Sequence, residues 1–358
     1  MRDGEDRRAR RDGHDCAFVL GGGGALGAHE VGMLQALFTA GITPDLVVGT
    51  SVGAINGAAV AADPTQGAVE RLTDLWTGLG HAGVFSGSLA NRFATVVRSG
   101  GTHLYSAEPL RRLLAEHLPV ERIEDLRLPF QCVAAGIEGA AEHWFAEGPL
   151  ADAVVASCSV PGLLPPAEIG ERHYIDGGLV NSIPVGRAVA LGARTVYVLQ
   201  VGRIEAPLRP PRYPWQVAMV SFEIARRHRF ARDMADLPDD VTVHVLPSGA
   251  SAREWTPVNQ LRHRDFARTA ERIEQAYEAS SRYLEGVADS AGAPAAPDSA
   301  PPVHEPRPRD ADGADTTQAP GSARPSGPVQ APGPARSSGK AQPRGTARPF
   351  GPARGRRG

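Results

Sequence analysis

The sequence predicts an α/β fold built on a mostly parallel sheet, and three observations carry that prediction. Short continuous aliphatic runs (AFVL, LVVGT and TVYVLQV) read as strands buried on both faces. Each alternates with a stretch whose apolar residues recur at helical spacing. The first two strands also pass into their helices through glycine-bearing junctions, GGGG and GTSVG. With 358 residues, 42% of them hydrophobic, the chain is large enough to bury a substantial core.

The elements follow in order. Residues 1–15 are charged throughout, lack the apolar segment of a secretory signal, and read as a flexible leader. A strand at Ala17–Leu20 leads into Gly21–Gly24 and then a helix from Leu26 to Ala40. In that helix Val31, Leu34, Leu37 and Phe38 share a face, and Gly41 stops it. LVVGT is the second strand; SVGAINGAAVAA is a helix of small residues that Asp63-Pro64 ends. Helical stretches at 66–80 and 106–117 bracket a Ser/Gly/Asn-rich region with no assignable pattern. PFQCVAAGI is a strand entering a hairpin-like EGAAEHWF, and the small-residue helix LADAVVASCSV is cut by Pro161-Gly162. HYI gives a short strand and DGG a turn. A helix near Val185–Leu191, the buried strand TVYVLQV, a basic helix near 215–236, the strand VTVHVLP and an Arg-rich helix near 264–284 complete the pattern. One domain therefore spans 16–285. The tail, 286–358, is rich in Pro, Ala, Gly and Arg and too poor in aliphatic residues to offset the entropy of ordering, so disorder is expected there.

The formal net charge of −2 combines an acidic body with a basic tail: residues 321–358 hold eight basic residues and no acidic one. Such a tail suits anionic surfaces, but a solvated tail is the simpler account and no specific nucleic acid recognition is expected. Cys16, Cys132 and Cys158 are odd in number and widely spaced, which suggests neither a disulfide framework nor a metal site. No run is long enough to span a bilayer. The expected location is cytoplasmic, with peripheral contact at an anionic membrane surface as a further expectation.

Four consecutive glycines sacrifice packing and entropy, so a use for bare backbone is sought. Gly22 to Gly27 fits the GxGxxG of a dinucleotide site, but Asp45 precedes the second strand instead of ending it, where a ribose-binding carboxylate belongs. A P-loop needs GK[ST] after the glycines, and none follows. The second strand ends instead in Gly49-Thr50-Ser51-Val52-Gly53, a GxSxG nucleophile elbow in the right strand-to-helix context. A nucleophilic Ser51 requires N–H donors for the oxyanion of its tetrahedral intermediate, and the amides of Gly22, Gly23 and Gly24 at a helix start supply them. For a base, His29, His81, His103 and His173 each lack a fitting carboxylate partner. Asp176, in YIDGGLVNSIP, sits in what reads as a tight exposed turn; a lone DGG is ordinarily only a turn.

Taken in this order, GGGxxG, GTSVG, SVPGLLPP and DGG followed by LVNSIP resemble the patatin-like phospholipase family, strongly over 16–202 and more loosely to about 285. The resemblance implies a three-layer α/β/α fold with lipid acyl hydrolase activity and no metal or cofactor. It also implies a Ser-Asp dyad in which Ser51 is the nucleophile, Asp176 the base and Gly22, Gly23 and Gly24 the oxyanion loop. Leu26 departs from the Arg or Lys common in the family, which keeps neutral esters beside phospholipids as substrates. Asp176 would need burial to lift its pKa from about 3.9. Val160–Pro166 is expected either to wall an acyl groove or to pack in the core. Arg226, Arg227, Arg229 and Arg232 are expected to form either a basic patch for anionic lipid or a solvated helix face. The competing class is a catalytically weak lipid-binding or regulatory relative.

Overall fold

β1 (Cys16–Leu20) forms the centre of an eight-stranded sheet, pairing in parallel with β2 (Leu46–Thr50) on one side and β7 (Thr195–Leu199) on the other. The computed structural model describes residues 14–82, 101–201, 207–208, 210–250 and 268–292. Most of the leader, the region from 83 to 100 and the tail from 293 onward lie outside the described residues.

Outward from β2 comes β3 (Phe130–Gly136), parallel to it, and outward from β7 comes β8 (Thr242–Val245), also parallel. Three antiparallel strands complete the β3 side. β4 (Ala141–Phe145) forms the expected hairpin with β3, turning at Ala140 with φ 46°. β6 (Arg172–Asp176) also pairs with β3, and β5 (Ala167–Ile169) pairs with β6.

Helices cover both faces. Among the described residues they are α1 (Ala28–Thr39), α2 (Val52–Ala62), α3 (Gln66–Ala82), α4 (Glu108–His117), α5 (Leu150–Ser157), the one-turn α6 (Gly178–Asn181), α7 (Val185–Ala190), α8 (Pro214–Ala235) and α9 (Thr269–Gly292). Alternation along β1 separates two apolar cores. Phe18 and Leu20 enter a cluster with Leu34, Ile55, Leu72 and Leu114, whereas Ala17 and Val19 enter one with Ile183, Val185 and Phe230. Strands buried on both sides explain why the aliphatic runs were continuous in the sequence, and the expected three-layer α/β/α architecture is what they build.

The differences from expectation have local causes. The first helix begins as a 3₁₀ turn, Gly24–Gly27, and becomes α only at Ala28, because Gly24 takes φ 57°. β5 went unpredicted since its three residues, AEI, are too few to show a period. His81 belongs to α3 instead of the unassigned region. The last helix continues to Gly292, seven residues past the expected domain end at 285, through EGVADSA despite the weak helix formers Gly286 and Asp289.

Candidate active site

Sheet topology brings the two candidate chemical groups together. Thr50, the last residue of β2, pairs with Val133 of β3, and the next β3 residue, Ala134, pairs with Asp176 at the end of β6. β4 occupies the opposite edge of β3 along these same residues. β2 and β6 therefore share one edge of β3 and run into each other end to end. Ser51 follows the end of one strand and Asp176 is the end of the other.

Ser51 takes φ 55° and ψ −123°, a left-handed conformation that a non-glycine residue holds only when its surroundings impose it. The turn is as tight as the elbow pattern demands. A Cβ on Gly49 would stand 2.4 Å from the Gly53 carbonyl oxygen, and one on Gly53 would stand 2.3 Å from that of Leu20. α2 starts at Val52, so its N-terminal dipole faces the serine. The Ser51 N–H donates to Ser157 Oγ at 2.8 Å, and the side chain donates to Asp176 Oδ2 at 2.6 Å across 125 positions of sequence.

Asp176 is not in an exposed turn. It is 4% exposed, and the two glycines after it open α6. Its Oδ1 accepts the Gly178 N–H at 2.7 Å, and its own N–H donates to the Ser159 carbonyl at 2.9 Å. Burial pushes its pKa up to about 6, against the opposing pull of the Ser51 hydroxyl and the Gly178 N–H. Cys158 is buried beside the pair; burial and the Asp176 carboxylate together hold its thiol protonated.

The glycine loop lies against this pair, with a Cβ on Gly22 reaching 3.5 Å from Ser51 Cβ. Its amides are not equivalent. Gly21 N–H donates to Leu199 O at 2.8 Å and Gly22 N–H to Ser182 O at 2.9 Å. Gly22 therefore has no free donor, contrary to expectation, whereas the Gly23 and Gly24 amides have no hydrogen-bond partner among the described residues. Gly23 has no room for a side chain: its Cβ would fall 1.7 Å from Val201 Cγ2.

The other expectations sort clearly. His29 Nδ1 bonds the Leu26 carbonyl, His173 pairs with Glu138, and His103 meets Thr102; none of them bonds Ser51. In the VPGLLPP segment Leu164 belongs to the core and Leu163 is half-buried, while Pro161, Gly162 and Pro166 are exposed. The basic patch on α8 is overturned. Arg226 is buried, Arg227 pairs with Glu223, and Arg229 pairs with Glu142 and Asp233, which leaves Arg232 exposed. Among the described residues no group of His, Cys, Asp or Glu could hold a metal, and no helix is long and apolar enough to cross a membrane.

Several supporting residues had no sequence signal. Besides Ser157 and Ser182, Asn56 donates to Gly27 O at 3.1 Å and to Glu30 Oε2 at 2.8 Å, and accepts the Trp76 indole N–H at 2.9 Å. Burial raises the Glu30 pKa well above the ordinary carboxylate range, against the opposing pull of the Asn56 hydrogen bond.

Residues 18–189 match the family model described as Patatin-like phospholipase. Over 202 residues the chain is 33% identical to Lysophospholipase NTE1 of Coccidioides immitis (strain RS), a match covering 56% of this chain and 12% of that protein. Over 192 residues it is 32% identical to Patatin-like phospholipase domain-containing protein 6 of Homo sapiens, covering 53% of this chain and 14% of that protein. The chain thus spans only a small part of the length of these relatives. Among solved structures, VipD from Legionella pneumophila aligns at a TM-score of 0.37 and 15% identity, over 76% of this chain and 67% of that one. Over residues 18–189, just under half of its length, the chain matches the patatin-like phospholipase family.

Proposed function

We propose that this protein is a serine-dependent lipid acyl hydrolase that cleaves carboxylic esters through an acyl-enzyme on Ser51. The observation that carries the reading is the 2.6 Å hydrogen bond from a strained, elbow-held Ser51 hydroxyl to a buried carboxylate. In the first half-reaction Asp176 Oδ2 takes the hydroxyl proton as Ser51 Oγ bonds to the ester carbonyl carbon. The negative charge that develops on the carbonyl oxygen is met by the free amides of Gly23 and Gly24. The tetrahedral adduct collapses by breaking the carbon–oxygen bond to the alcohol, which leaves with the proton from Asp176. In the second half-reaction water gives its proton to Asp176 while attacking the acyl carbon, and the Ser51–acyl bond breaks with the proton returning to Ser51. A carboxylate has no tautomer to fix, so a dyad suffices where a histidine would need a third group.

Substrates are lipid esters. The relatives named as lysophospholipases favour single-chain phospholipids, and Leu26 in place of a basic residue keeps neutral esters beside them. The protein meets lipid as a peripheral, cytoplasmic enzyme. The test is labelling with a fluorophosphonate probe alongside hydrolysis of p-nitrophenyl esters and lysophosphatidylcholine. Labelling lost in Ser51→Ala together with hydrolysis supports the reading. An unlabelled wild-type protein that binds lipid without turnover overturns it.

A further inference from the structure

Arg226 is a buried cation outside the segment that matches the family model, and the dyad chemistry above makes no use of it. It is 4% exposed, on α8. Its Nε donates to Ser182 Oγ at 3.0 Å, Nη2 to Gln200 Oε1 at 3.2 Å and to Val201 O at 3.3 Å, and Nη1 to both oxygens of Glu223 at 3.4 Å. Two of these partners, Ser182 and Val201, are the residues that stand behind the glycine loop. The Ser182 carbonyl holds the Gly22 amide at 2.9 Å, and the Val201 side chain fills the space in which a Gly23 side chain would lie. One residue earlier, the Asn181 carbonyl accepts the Thr50 hydroxyl at 2.9 Å, immediately before Ser51 in the chain. The 181–182 segment therefore ties the glycine loop to the elbow, and Arg226 anchors that segment and Val201 in one fork. A planar guanidinium can hold such divergent partners at once, which an ammonium cannot.

Packing points the same way. Glu223 pairs with both Arg226 and Arg227, and Leu26 on the loop itself is apolar and packed against Val201 and Leu208, so the Arg226 guanidinium and an apolar cluster back the loop together.

We infer that Arg226 is the positioning residue of the oxyanion loop, holding the Gly23 and Gly24 amides on the reacting oxygen through Ser182 and Val201. This rests on the acyl-hydrolase reading above. The discriminating experiment uses the full chain, counts active sites by fluorophosphonate titration, and measures kcat and KM on a soluble p-nitrophenyl ester for Arg226→Lys, Ser182→Ala and the double variant. Each single variant is expected to lower kcat per titrated site by about tenfold, less than the ~10²–10³ lost with an oxyanion donor itself. KM should change less than about twofold and the acidic limb of the pH profile should not move. The double variant should lose no more than the worse single one, because both cut the same strut. Ser182→Ala leaves the Arg226–Glu223 pair intact, so it decides the question should Arg226→Lys fail to fold. Wild-type kcat per titrated site in Ser182→Ala, with only thermal stability reduced, overturns the assignment. Hydrolysis surviving in Ser51→Ala instead overturns the reading beneath it.

Discussion

Ser157 holds Ser51 by its backbone and leaves its side chain free: the Ser157 hydroxyl oxygen accepts the Ser51 N–H at 2.8 Å, while the Ser51 hydroxyl is turned to Asp176. This bond helps keep Ser51 at φ 55°. Ser157→Ala leaves a buried amide unpaired, a loss of about 1–3 kcal/mol. Chemical denaturation should show that loss, and ester hydrolysis should fall with it as Ser51 relaxes.

Ser51→Ala and Asp176→Asn should each lower kcat/KM for ester hydrolysis by at least about 1,000-fold, since members of such a pair act as a unit. Circular dichroism spectra of both should match the wild type. Substantial hydrolysis by Asp176→Asn would transfer the base's role to a histidine.

The pH profile should show Asp176 directly. A base works only when ionised, and burial places this carboxyl near 6. kcat/KM should therefore rise about tenfold per pH unit below that value and level off above it. A limb near 4 would mean that Asp176 titrates as an ordinary carboxyl.

The same burial has a stability consequence of opposite sense. The folded state raises the pKa from 3.8 to about 6, so between these values the folded chain holds a proton that the unfolded chain has lost. Stability from this group is present below about pH 4 and is lost as pH rises through about 6, on the order of 3 kcal/mol. Asp176→Asn should thus be inactive but more heat-stable than wild type at pH 8, with the difference shrinking at pH 4. Scanning calorimetry at both values tests this.

Gly23→Ala should abolish most activity, because its Cβ would meet Val201 Cγ2 at 1.7 Å and the loop must move. Adding Val201→Ala removes that carbon and leaves the Val201 Cβ at 3.2 Å. The double variant should regain activity in an esterase assay, whereas Gly23→Ala alone should not.

The parts of the site that could be read in the sequence are those whose chemistry forces a local pattern. A sharp elbow needs Gly49 and Gly53 beside Ser51, and strands buried on both faces write themselves as unbroken aliphatic runs. The three-residue β5 escaped because it depends on strand pairing that no local period records. Ser157, Ser182 and Arg226 escaped for a related reason. They reach their partners by side-chain bonds over 106 and 44 positions, and α8 reads as a basic helix whose pattern does not mark Arg226 as the one buried arginine of the four. Gly22 was misjudged as a donor since the sequence does not reveal that the Ser182 carbonyl claims its amide.

On the proposed mechanism, the end-to-end meeting of β2 and β6 on a single edge of β3 also sets when the chemistry becomes available during synthesis. A nascent or truncated chain that stops before residue 172 has its elbow serine but no strand to deliver the acceptor carboxylate. Such a fragment carries an ordinary alcohol, and reactivity switches on only once the last strand on that edge has docked.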